Sequence, residues 1–382
     1  MRNFRKIFAL ALLVAVCAVG LASCANQGGE KVFVIGGTGP LTGENSDYGS
    51  AVYNGAMLAI QEINAAGGFG GYTFRLSMKQ DNCDPAIAAD AYLVLFEKEG
   101  MKVSIGSVTS GAAKGFADAA AEDHLFCLTP SASADNVIGA GAHSFRVCFG
   151  DPQQGSAAAD ELVREGFRKI GVVYEVGNQY SEGIFHAFEE KMAELGKSKD
   201  VDYVVTSFDS DNNKEFSTQI KTMTGAGCDV IFLPIYYGEA ALIAKAAART
   251  EFNVPILGCD GLDGIAGQLD DSVTANVRYI TPFDVNSTDA KVAHFVEAYK
   301  AAYGGATPNQ FAADGYDAIM IIYEAMKAGE IDPADAADVI CTKLASVLTG
   351  GTFRYSGVTG SDMTWSKAGS CEKQATIVTV KR

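Results

Sequence analysis

A chain of 382 residues exceeds one ordinary domain and suits two, and a hydrophobic content of 48% is enough to fill two cores. Asp and Glu number 46 against 30 Lys and Arg, a net charge of −16, which argues against nucleic acid because that partner needs a basic footprint. The acidic residues are dispersed rather than blocked and read as a solvated surface.

The first 24 residues have the pattern of an export signal. Arg2, Arg5 and Lys6 supply a positive start, and Ile7 to Leu21 is an apolar run of 15 residues, short of the ~20 needed to span a bilayer. The run closes on Leu21-Ala22-Ser23-Cys24, which resembles a bacterial lipobox. That resemblance implies a mature chain starting at Cys24, lipid attached there, and anchoring without a membrane span. Residues 25–30 read as a tether, and Lys31–Ile35 begins the fold as a buried strand.

The loop Gly36–Gly43 is glycine-rich but lacks a dinucleotide fingerprint: Thr42 occupies the third glycine place and Pro40 intrudes. A helix is predicted over Tyr48–Ala65, with Ala51, Gly55, Leu58, Ala59 and Ile63 on one face. Strand Phe74–Met78 and helix Ala86–Lys98 follow. Asp84 with Pro85 reads as a helix start, not a calcium loop. Next, Val103–Ile105 and Leu125–Leu128 are strand-like runs on either side of a helical pattern, Ala112–Ala121. Each strand runs into hydroxyl residues: Ser107, Thr109 and Ser110, then Thr129, Ser131 and Ser133. In a parallel sheet these loops emerge side by side at the carboxyl edge, where such sheets bind ligands. Hydroxyls and free N–H groups ahead of a helix cradle a carboxylate, although Ser and Thr also serve simply as helix caps.

The segments GPLTGENSDYGSAVYNGAMLAIQEINAAGG, DNCDP, GSVTSGAAKG and TPSASADN stand in this order. They resemble the successive landmarks of the leucine/isoleucine/valine-binding proteins, the branched-chain amino acid components of ABC importers. The resemblance covers nearly the whole mature chain. It implies the type I periplasmic binding protein fold: an α/β clamshell of two doubly wound parallel-sheet lobes joined by hinge strands. A strand near His143–Val147 precedes Asp151-Pro152-Gln153-Gln154-Gly155, which resembles the family's crossover. A second α/β series then runs through strands Lys169–Tyr174, Tyr203–Ser207, Val230–Pro234 and Val254–Gly258, with helices between. Val277–Pro282 is expected to lead back to the first lobe, with helices Ala290–Tyr303 and Phe311–Ala328, and residues 352–358 to cross again before strand Ala375–Val380. The expected N-terminal lobe is 31–150 plus 284–353, and the C-terminal lobe 151–283 plus 354–382. Several hinge crossings suit a clamshell that closes on its ligand.

Of nine cysteines, Cys17 leaves with the signal and Cys24 carries lipid, so seven remain, an odd number. Cys341 and Cys371, flanking the C-terminal segment, are the first choice for a disulfide, which export permits. Cys83 with Cys127 is a weaker pair; the second cysteine of the family's pairing falls here at Thr109. The four histidines are scattered and no CxxC occurs, so no metal or cofactor is expected. The frame Gly106–Gly111 puts no serine centrally, as a GxSxG elbow would, and no enzyme is expected.

The resemblance implies a site for a free amino acid, branched-chain or otherwise apolar or aromatic. Ser110 and Ser133 would hold the carboxylate. The Ala132 carbonyl and the Asp260 carboxylate would take the ammonium. Tyr180 and Tyr236 would close over the ligand, and Tyr48 would line the side-chain pocket. Ser133 replaces the family's commoner Thr, and Asp260 its commoner Glu, moving the charge by about one methylene. The implied partners are the transmembrane permease subunits of an ABC importer with their ATPase, serving a monomeric protein anchored outside the cytoplasm. A ligand-sensing module for a small amide or carboxylate, acting through a partner receptor, is the alternative.

Overall fold

The computed structural model describes residues 31–139, 143–199 and 201–381. The export signal, Cys24 and the tether lie outside the described residues. The first sheet is built from β1 (Lys31–Gly39), β2 (Tyr72–Gln80), β3 (Val103–Ser107), β4 (Cys127–Thr129) and β5 (Ser144–Arg146). All its pairings are parallel and its order is β2-β1-β3-β4-β5. Helices α1 (Ser46–Ala65), α2 (Pro85–Leu93, continued by one π turn over Val94–Lys98) and α3 (Ser110–Glu122) connect the first four strands. Central strands covered on both faces must be apolar throughout, and β1 is buried from Phe33 to Gly39.

Helix α4 (Asp151–Glu165) leads into a second sheet. It contains β6 (Lys169–Glu175), β7 (Asp202–Phe208), β8 (Val230–Leu233), β9 (Ile256–Gly258), β10 (Val277–Thr281) and β11 (Thr376–Thr379). Helices α5 (Gln179–Lys199), α6 (Ser217–Ala226) and α7 (Tyr237–Arg249) join its first strands. The order is β11-β10-β9-β8-β6-β7, and only β11 runs antiparallel to its neighbour. Both sheets repeat one plan: the second strand pairs on one side of the first, the third on the other. Each therefore has a point where the winding reverses, between β1 and β3 and between β6 and β8, and loops diverge there to form a crevice.

Helices α8 (Ala290–Ala302), α9 (Gln310–Ala328) and α10 (Ala337–Thr349) return to the first sheet. Close approach of α9 to α1 depends on glycine. A Cβ on Gly55 would lie 1.8 Å from the Ala312 carbonyl oxygen, and one on Gly315 2.4 Å from that of Val52. The two helix backbones therefore touch, and Ala at either position would force them apart.

Three expectations need correction. Helix α10 was not anticipated. The chain reaches the second sheet only at β11, later than the crossing expected at residues 352–358. Residues 355–369 are tied to the first lobe: Asp317 on α9 accepts the Val358 and Thr359 N–H groups and the Thr359 and Tyr355 hydroxyls, and Trp365 Nε1 donates to the Arg146 carbonyl at 2.8 Å. Finally, all seven described cysteines are free, Cys341 and Cys371 included. Cys341 on α10 faces His143 Nδ1 at 3.0 Å, whereas Cys371 pairs through its backbone with Trp365 and turns its thiol toward the Glu372 carbonyl. Proximity to one segment in sequence did not bring the two sulfurs together.

Candidate ligand cleft between the two sheets

The loops at the two reversal points face each other. From the first lobe, Thr109 is the N-cap residue of α3, with extended backbone at φ −100° and ψ 149°. Its buried hydroxyl does not cap the helix and has only the Cys83 thiol beside it. The positive end of α3 is thus left without a side-chain acceptor. Ser110 Oγ accepts the Ala134 N–H at 3.2 Å, Ser131 Oγ donates to the Val108 carbonyl at 2.8 Å, and Thr129 Oγ1 to that of Ser107 at 2.7 Å. These bonds knit the two hydroxyl loops into one wall.

From the second lobe, the Tyr180 and Tyr236 rings stack with centroids 5.0 Å apart. Tyr180 OH donates to Asp260 Oδ1 at 2.8 Å and accepts the Gly261 N–H at 2.8 Å. Close packing makes Gly261 obligatory: a Cβ there would lie 2.6 Å from that same Tyr180 oxygen. Asp260 is 2% exposed. Its N–H donates to Gln154 Oε1 at 3.0 Å, and Gln310 Nε2 donates to its Oδ2 at 3.4 Å. Burial pushes its carboxyl up to about 6, with the hydrogen bonds donated by Tyr180 and Gln310 pulling the other way.

Tyr48 joins the walls. Its hydroxyl donates to the Gly261 carbonyl and accepts the Tyr237 N–H at 3.1 Å, both across the interlobe gap. Phe311, at the start of α9, packs against its ring at a tilt of 34°, centroids 4.3 Å apart. Tyr237 OH donates to the Glu44 carbonyl at 2.6 Å, and Lys214 pairs with the Glu44 carboxylate at 2.6 Å. The lobes are closed on one another. They enclose only about 10 Å³, bounded by Tyr48, Thr109, Ser110, Tyr180, Tyr236 and Asp260 among others. That is room for roughly one water molecule, so anything larger must part the lobes to bind.

Five of the seven expected ligand residues therefore meet at one space: Tyr48, Ser110, Tyr180, Tyr236 and Asp260. Ala132 and Ser133 do not border it, and Ser131 does. The Ala132 N–H is bonded to Thr129 Oγ1 at 3.1 Å. The Ser133 carbonyl takes the Asp151 N–H at 3.0 Å and a guanidinium N–H of buried Arg146, while its hydroxyl faces Asp151. The Asp151 carboxylate beside it has no other partner; burial pushes that carboxyl well up, with the Ser133 hydroxyl pulling the other way. Sequence reasoning missed Phe311, Gln310, Gln154 and Asp151. The first two arrive on a helix far along the chain; the last two lay in the crossover segment and looked merely structural.

A larger groove of about 840 Å³ lies on the first lobe between α8, α9 and residues 353–358. Its lysines are already engaged, Lys291 with the Ser356 carbonyl and Lys327 with Glu324, so size alone does not make it the site.

The sequence profile of the periplasmic binding protein family matches residues 33–382. The chain belongs to that family. A Leu/Ile/Val-binding protein homologue from Brucella melitensis is 28% identical over 348 residues, 89% of this chain and 88% of the relative. A leucine-binding protein structure from Thermotoga maritima superposes with a TM-score of 0.81 at 26% identity, covering 92% of this chain and 96% of its own. The branched-chain amino acid transporter substrate-binding protein of Streptococcus pneumoniae, solved with isoleucine, gives 0.78 at 27% identity, covering 91% and 100%. The fold is that of a type I periplasmic binding protein, with the cleft between its lobes. Among the described residues of this periplasmic binding protein, no helix is long and apolar enough to cross a membrane.

Proposed function

We propose that this protein captures a free α-amino acid between its lobes and delivers it to an ABC permease, working outside the cytoplasm and anchored by lipid on Cys24. One observation carries the ligand class. The uncapped, positive N-terminus of α3 and the Asp260 carboxylate border the same small space from opposite lobes. A zwitterion complements both ends. A carboxylate answers free N–H groups and hydroxyls at a helix start, and an ammonium answers a buried acid that is costly to ionise alone. Tyr48, Phe311 and Tyr236 offer apolar faces to a side chain.

The names of the relatives support an aliphatic ligand, and the Streptococcus pneumoniae protein, a transporter component, supports delivery to a permease. The motif Leu21-Ala22-Ser23-Cys24 supports the anchor. A thermal-shift screen of the twenty amino acids against the mature protein tests the proposal. A ligand at ~100 times its Kd should add about 2.7 kcal/mol of stability. Absence of a shift with every amino acid would remove the proposal.

A further inference from the structure

The cleft has an outer compartment. A space of about 410 Å³ adjoins the inner one, and Thr109 and Tyr236 border both. Its walls carry three carboxylates: Glu44 from the loop after β1, Glu175 at the end of β6, and Glu239 in the first turn of α7. Glu44 is paired with Lys214. Among the described residues Glu175 and Glu239 form no salt bridge, and each is held by a neutral amide. Asn178 Nδ2 donates to Glu175 at 2.7 Å, and Asn213 Nδ2 to Glu239 at 3.1 Å. Both are half-buried. Burial raises both carboxyls; the Glu239 charge adds to the rise at Glu175, while Lys214, already paired with Glu44, offsets part of the rise at Glu239 only. Three acids facing one space with a single lysine among them are costly without a further cation.

Unused acceptors point the same way. Thr109 is 4% exposed, and its buried hydroxyl has only the Cys83 thiol beside it. Gln179 Oε1, on the same wall, is buried and unpartnered. This lining asks for N–H donors carrying positive charge. It stands next to the inner space, with Thr109 and Tyr236 as the shared wall.

We infer that the outer compartment is a subsite for a cationic side chain, so that the cleft accepts basic amino acids and holds them more tightly than neutral counterparts of the same shape. This rests on the proposal that the α-ammonium and α-carboxylate occupy the inner space. The side chain then passes Thr109 and Tyr236 and ends between Glu175 and Glu239. Leucine would leave the outer compartment unused.

Calorimetric titration with arginine, its neutral analogue citrulline, and leucine tests the subsite on wild type, Glu175→Gln and Glu239→Gln. Both replacements are close in shape and half-exposed, and melting curves confirm that the variants fold. Charge-assisted hydrogen bonds of this kind are worth roughly tenfold or more in affinity. Arginine should bind wild type about tenfold or more tightly than citrulline. Each substitution should remove about that factor for arginine and leave leucine within about twofold. Arginine binding no better than citrulline, or both variants keeping full arginine affinity, overturns the inference. If leucine binds and arginine does not, the subsite falls while amino-acid capture stands. If no amino acid binds, both fall.

Discussion

Asp260→Asn separates the cost of a buried charge from its use. Burial moves the Asp260 carboxyl from 3.8 to about 6. Between those values the folded protein keeps a proton that the unfolded chain has released, so this group lowers stability as pH rises through the window. Moving that carboxyl from 3.8 to about 6 corresponds to about 3 kcal/mol lost by pH 7. Asparagine removes the charge and still offers Tyr180 an oxygen. Its amide, however, faces the Gln310 donor, which offsets part of the gain. The ligand-free variant should therefore be about 1–3 kcal/mol more stable than wild type at pH 7, with the difference vanishing below about pH 4. Binding should move the other way. An ammonium needs the ionised carboxylate, so wild-type affinity should be level above about pH 7 and fall about tenfold per unit below pH 6. Asp260→Asn should bind roughly 30-fold to several thousand-fold more weakly, the ~2–5 kcal/mol for losing one partner of a buried charged pair, with no pH slope in that window. Asp151 and Asp314 are also buried nearby, and burial pushes both well up. A slope arising from them would persist in the variant. Calorimetric titration at four pH values, with melting curves of the free proteins, measures both effects. A variant with wild-type affinity at pH 7, or with its pH slope intact, refutes the reasoning.

Tyr48→Phe removes the hydroxyl linking Gly261 and Tyr237 across the gap. It should weaken closure by about 1–3 kcal/mol, seen as lower ligand affinity and a larger radius of gyration in X-ray scattering; unchanged values would contradict the bridging role. All seven described cysteines being free, a thiol titration of the unfolded, unreduced protein produced from residue 25 onward, without Cys17 and Cys24, should count seven, and five would mean one disulfide. In the full chain, Cys24→Ser should abolish lipid labelling and move the protein from the membrane fraction to the soluble one; retention on membranes would contradict anchoring there.

Both lobes were legible from local pattern. The apolar runs of β1, β6 and β8 and the helices between them repeat at a spacing that only parallel sheets accommodate. The hydroxyl loops after β3 and β4 were legible too, and Ser110 and Ser131 stand in them. Asp260 was legible only through the family resemblance, because an acid after a short strand has many ordinary uses. Phe311 and Gln310 were not legible: they sit far downstream of Tyr48, and only the Gly55–Gly315 helix contact brings α9 beside α1. The expected Cys341–Cys371 bridge failed for a related reason. Chain position says little about where a thiol points once residues 355–369 have wrapped back onto the first lobe.

The most direct test of a cleft built for a zwitterion is to remove one charge of the ligand at a time. The tightest-binding amino acid should be compared by calorimetry with its deaminated acid and with its carboxamide. The deaminated acid puts no cation on Asp260, and the carboxamide puts no anion on the N-terminus of α3. Each should lose about 2–5 kcal/mol, roughly 30-fold or more in Kd. Either analogue binding within about threefold of the parent would contradict the account.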